Sequence, residues 1–233
     1  MDEGRWLASE KLSELVAHLR ETAGVHRKKA GRRKLRLLTC AHARTTWEQL
    51  SGPSRALVEA IELLADGRLT EQEFEARVAE IHAAASKEGV RLGTGADAIW
   101  GYLLVTTDLG YVPVATASFV GMRLAYAARV EAQAAGNAAP QIDDAVRRVS
   151  QASNRRACDL AREIFGNPSR PLPPRKFPAE LRGLAQSCFD DAAHYPLLAD
   201  ALADLGEEEA AAHCRLPDHV KGCHVVDWIL GRQ

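Results

Sequence analysis

At 233 residues, with 46% apolar and 26% charged side chains, the chain has enough length and apolar content to bury a full core, and wholesale disorder is excluded. The 30 Lys plus Arg against 31 Asp plus Glu leave a formal charge of −1, so no overall field draws the molecule to nucleic acid or an anionic membrane. Binding of that kind has to come from a local patch.

Leu12, Leu15, Val16 and Leu19 recur at helical spacing and predict a first helix that Gly24 ends. A basic stretch, Arg27, Lys28, Lys29, Arg32, Arg33, Lys34 and Arg36, leads into a second helix expected to run to about Leu50, before Ser51-Gly52-Pro53. Leu57, Ile61 and Leu64 predict a third helix closed by Gly67. Thr70 with Glu73 is a capping-box pattern opening a fourth, which carries Phe74, Val78 and Ile81. Gly89, Gly93, Gly95 and Ala96 mark the expected boundary between an N-terminal helical part, 1–90, and a C-terminal helical part, 91–233, packed as one globular unit.

From Pro113 a long helix is expected to reach Gly136-Asn137. The clearest periodicity follows at Ile142, Val146, Val149, Ser153, Ala157, Leu160 and Ile164, one helix of about six turns that Gly166-Asn167-Pro168 closes. Five of the ten prolines, at 168, 171, 173, 174 and 178, predict an extended strap. Helical patterns resume at 179–194, 196–205, 207–214 and 219–230, and no stretch alternates as a strand would. The expected class is all-α, an irregular bundle of eight to ten helices with a proline-rich strap before a C-terminal group of short ones.

Five cysteines, at 40, 158, 188, 214 and 223, are an odd number behind an opening, Met-Asp-Glu-Gly-Arg-Trp, that has no apolar leader pattern. Reduced thiols and a cytoplasmic location are expected. Ile99 to Met122 is long and apolar, yet Asp108, Gly110 and Pro113 at its middle fit two buried helices joined by a turn better than a membrane span.

Three segments carry a resemblance: Lys34 to His42 with Trp47, then Ile164 to Pro171, and finally His213-Cys214-Arg215-Leu-Pro217-Asp-His219-Val-Lys-Gly-Cys223-His224-Val-Val-Asp227. They resemble a bacterial protein family, present in many copies in certain large genomes, that has no established activity. The resemblance fades between about 65 and 140 and implies no reaction. In the third segment the family typically reads His-Val-Arg-Gly-Cys-Trp. This chain has Lys221 for the arginine and His224 for the tryptophan, and in the first segment it has His42 and Ala43 where cysteines are common.

The best chemical candidate is Cys214, His219 and Cys223. His219 and Cys223, four apart, would project from one face of a helix, and Cys214 could fold back across the loop Leu216-Pro217-Asp218. Cys40 on the second helix could supply a fourth ligand, and zinc takes tetrahedral Cys/His sets of this kind. Cys40 and His42, two apart on a helix, cannot both reach one ion. The competing reading puts these cysteines into the core as small hydrophobes, with Cys223 on a stripe with Val226, Ile229 and Leu230. Seven cations between 27 and 36 could grip phosphate, although no aromatic residue interleaves with them for base stacking. Glycine-rich phosphate loops, nucleophile elbows and His-Glu-x-x-His motifs are all missing, so no catalytic residue is expected. A thiol enzyme built on Cys214 with His213 or His219 lacks an orienting third group.

Three functions follow as expectations. The first is a non-catalytic helical module that binds another protein, the second a zinc-binding protein with a structural Cys/His site, and the third a nucleic-acid-binding module using residues 27–36. No membrane partner is expected.

Overall fold

The structure, a computed structural model, describes residues 1–92 and 111–232. The fold is all-α: the described residues hold eleven α-helices and no strand. Gly93 to Gly95, on which the expected boundary leans, and most of the apolar stretch read as two helices lie outside the described residues. The chain divides into two units, Met1–Leu7 with Leu160–Gln233, and Ala8–Asp159. No helix among the described residues is long and apolar enough to cross a membrane.

The unit Ala8–Asp159 holds α2 (Leu12–His18), α3 (Lys29–Arg44), α4 (Gly52–Ala65), α5 (Glu71–Lys87) and α6 (Val112–Ala134), with most of α7 (Ala139–Phe165); α1 (Glu3–Ala8) precedes them. The first helix is shorter than its apolar spacing suggests, because Leu19–Ala23 widens into a π-helical turn that Gly24 ends at φ +59°. Helix α3 stops at Arg44, short of the expected Leu50. Thr45 and Thr46 turn their hydroxyls back onto the carbonyls of His42 and Ala43, and that local bonding competes with further helix. A short 3₁₀ turn, Trp47–Gln49, fills the gap. Helix α3 packs on α4 and α6, and α4 on α5. Their shared core contains Cys40, Ala43, Leu57, Val58, Ile61, Phe74, Ile81 and Val120. The capping box at Thr70 and Glu73 forms as its spacing requires.

In the other unit the chain leaves the last turn of α7 through Gly166 and runs without regular structure along 171–178. Four short helices follow: α8 (Ala179–Asp190), α9 (Tyr195–Asp204), α10 (Glu208–Cys214) and α11 (His224–Leu230). Leu181, Ala185, Leu198, Leu202, Val225, Val226, Trp228 and Ile229 close one core between them. The indole N–H of Trp228 donates to the Pro173 carbonyl at 2.7 Å and Phe177 meets the same ring edge-on, so two anchors hold the strap. At the N-terminus Arg162 donates to the Trp6 carbonyl, Asn167 donates to Glu3, and Arg170 pairs with Glu3 at 2.8 Å.

Candidate metal centre

The group is built from three pieces of one unit. Glu163 stands on the last turn of α7, His213 near the end of α10, and His219 and Cys223 on the connection to α11. That connection corrects the sequence reading. Residues 217–223 are not helical, because Gly222 takes φ +91°, a conformation a helix cannot continue through, and Cys223 is the N-cap of α11. His219 and Cys223 therefore meet across a loop and not along a helix face.

One ligand-type atom from each of Glu163, His213, His219 and Cys223 lies within 4.8 Å of every other. The two Glu163 oxygens are shared out. Oε1 accepts from His219 Nδ1 at 2.9 Å, and Oε2 accepts from His213 Nε2 at 3.0 Å. The same His213 nitrogen lies 3.3 Å from the Cys223 sulfur. Little water reaches the group: the Cys223 residue is fully buried, and the side chains of His219 and Glu163 are 2% and 9% exposed. The far nitrogen of His219, Nε2, is buried with no hydrogen-bond partner.

Neighbouring rings hold the imidazoles in place. Tyr195 stacks on His219 with centroids 3.6 Å apart and planes 7° from parallel, and its phenol is hydrogen-bonded to Cys223. His224 packs on His213 at 4.3 Å while its Nδ1 donates to the Glu163 backbone carbonyl at 2.9 Å. Gly166 makes this possible. It needs φ +69°, and a Cβ there would stand 2.8 Å from the His224 ring.

The electrostatics follow from burial and pairing. Burial works to raise the Glu163 carboxyl, but hydrogen bonds and attraction from His213 and His219 outweigh it and hold it down at about 2. Burial, reinforced by the Glu163 charge, pushes the Cys223 thiol well up. A thiol held protonated in this way is a weak nucleophile. Moreover, the imidazole nitrogen nearest it is the one already committed to Glu163, so the base and its orienting acid compete for one atom.

Of the four residues read from the sequence as ligands, the structure brings His219 and Cys223 together and places Cys214 and Cys40 elsewhere. Cys214 is buried in the apolar core, its thiol pushed up to about 12 by burial first and then by Cys188 and Glu163. Cys40 lies in the core of the Ala8–Asp159 unit, 3.7 Å from the Val58 carbonyl that its thiol faces. Glu163 and His213, the other two donors, fall outside the set that sequence spacing suggests. The basic run also divides. Arg27, Lys28, Lys29 and Arg32 are exposed, whereas Arg33 and Lys34 are buried and Arg36 is partly so. Arg33 pairs with Asp66 at 2.8 Å and Arg36 with Glu71 at 3.0 Å.

No family model, no curated protein and no solved structure matches the chain.

Proposed function

We propose that the protein binds zinc through Glu163, His213, His219 and Cys223, and that the ion serves structure. The observation that carries the reading is the convergence of four chemically suited donors within 4.8 Å in a buried pocket. Thiolate and imidazole suit zinc far better than magnesium or calcium, which take oxygen ligands. A thiolate and a carboxylate would together offset the two positive charges of the ion, so that the loaded site is neutral and fit for burial. Four protein donors fill a tetrahedral shell and leave no position for a reacting water, as in structural sites. The ion would take the place of the protons that now lie between the imidazoles and Glu163 and of the proton on the thiol. It would cross-link the end of α7, the end of α10 and the start of α11.

Protein purified without added metal should hold one equivalent of zinc by elemental analysis. A strong chelator should then lower the melting temperature substantially, since structural zinc supplies about 10–16 kcal/mol in small zinc-dependent peptides. Metal-free protein that binds no added zinc, with the same melt in chelator, would leave the group as a hydrogen-bonded polar network.

A second reading, partner binding through α6, is favoured by a different observation. Met122, Tyr126 and Val130 follow at steps of four along that helix and are exposed by 62, 70 and 44%. A row of that kind suits the apolar face of a partner helix. Tyr126→Lys should abolish any concentration-dependent association seen in sedimentation, and an unchanged profile would remove the support.

A further inference from the structure

A second site, independent of the metal centre, lies where α2, the π-helical turn and the start of α3 meet. An open groove of about 800 Å³ is lined there by Arg20, Glu21, His26, Arg27 and Lys28 with the small residues between them. Lys29 and Arg32, also exposed, extend its cationic edge. Elsewhere in the same unit cations meet carboxylates, as Arg33 does Asp66, Arg36 does Glu71 and Arg44 does Glu62. Arg20, Arg27, Lys28, Lys29 and Arg32 meet none among the described residues, and Glu21 is the one acidic residue in the lining. Five like charges so close repel one another, and a bound anion would relieve that repulsion.

Two local features prepare the groove for an anion. Arg27 Nε donates to His26 Nε2 at 3.2 Å, which holds the Arg27 guanidinium beside the groove. The chain also turns back tightly. A Cβ on Gly31 would stand 2.1 Å from the Val25 carbonyl oxygen, so glycine lets residues 24–28 fold against the first turn of α3. That turn holds no acidic residue and no side-chain cap.

We propose that this groove binds a small oligophosphate, a compound with two or more adjacent phosphates gripped by Arg20, Arg27 and Lys28. The cations surround one hollow and do not form a line, which suits a compact polyanion. Duplex DNA is usually met by contacts to about six to ten phosphates along its length. No Phe, Tyr or Trp side chain lines the groove, which favours recognition of phosphate over a base.

The test is calorimetric titration of the full chain with inorganic tripolyphosphate at low salt. The expected result is saturable binding to one site that weakens as salt rises. The double substitution Arg27→Ala with Lys28→Ala should weaken it roughly tenfold or more, by loss of charge-assisted hydrogen bonds. The control pair Arg68→Ala with Lys87→Ala, exposed cations elsewhere in the same unit, should leave it unchanged. All three proteins should melt alike, as expected for exposed positions. Absence of saturable binding, or an equal loss in the control pair, overturns the proposal. A short single-stranded oligonucleotide binding more tightly than tripolyphosphate also overturns it, in favour of nucleic acid.

Discussion

The two units each bury histidine, and they do so in opposite ways. In the Ala8–Asp159 unit His42 is alone: it is 2% exposed and its Nε2 has no hydrogen-bond partner. Burial first and the Arg156 charge second lower its pKa to about 3, so it stays neutral. In the other unit His213 and His219 share the two oxygens of Glu163, with Cys223 beside them. A solitary buried imidazole is a packing residue that costs the fold something to keep. Imidazoles gathered around a carboxylate and a thiol are held by geometry that core packing alone does not require, and such a gathering makes a candidate site.

The largest expected effect breaks the gathered group. Glu163→Leu leaves two buried imidazole N–H groups without their acceptor, and each buried donor left unsatisfied costs about 1–3 kcal/mol. Chemical denaturation of the metal-free protein measures this directly. A loss below about 1 kcal/mol would mean that the network contributes little.

The solitary histidine gives the next effect through pH. The folded pKa of His42 lies below its ordinary 6.5, so between the two values the unfolded chain binds more protons than the folded one. The associated stability is fully present above about pH 6.5 and is lost as pH falls toward about 3. At pH 5 the loss is about 2 kcal/mol, taking about 1.4 kcal/mol per unit. Denaturation curves between pH 7 and 5 should show it in the parent chain, and His42→Leu should flatten it. A slope that persists in His42→Leu would place the acid sensitivity elsewhere.

The smallest effect is a reference for both. Thr70→Ala removes the cap of α5 and should cost about 1 kcal/mol alike at pH 7 and pH 5, with no change in metal content. A thermal melt and elemental analysis of the variant check both parts.

Much of the fold is legible in the sequence because its signals are local. The step of four and three from Ile142 to Ile164 marks α7, the Thr70 and Glu73 spacing marks the start of α5, and the prolines from 168 to 178 mark the strap. Helix α1 is only six residues long, too short for periodicity to show it. The candidate metal centre is half legible. His219 and Cys223 stand out by proximity in sequence, although a loop and not a helix unites them. Glu163 lies 56 residues before His219, and no spacing rule reaches that far. Its one local signal is an acid three residues after Leu160 and beside Ile164, at the edge of an otherwise apolar stripe. His213 and Cys214 are adjacent on α10, where successive side chains diverge by about 100°. Only one of the pair can face the centre, and sequence alone favoured the cysteine. The structure turns the histidine to it and the cysteine into the core.

Cobalt substitution tests the central claim most directly, because a bound thiolate gives Co²⁺ an intense near-ultraviolet charge-transfer absorption that oxygen and nitrogen ligands do not. Metal-free protein titrated with Co²⁺ should develop that absorption to saturation at one equivalent, together with the visible bands of a tetrahedral ion, and zinc should displace it. Cys214→Ser should keep the spectrum and Cys223→Ser should lose its thiolate band. A spectrum that never appears, or one lost in Cys214→Ser and kept in Cys223→Ser, would contradict the assignment of Glu163, His213, His219 and Cys223 as the metal centre.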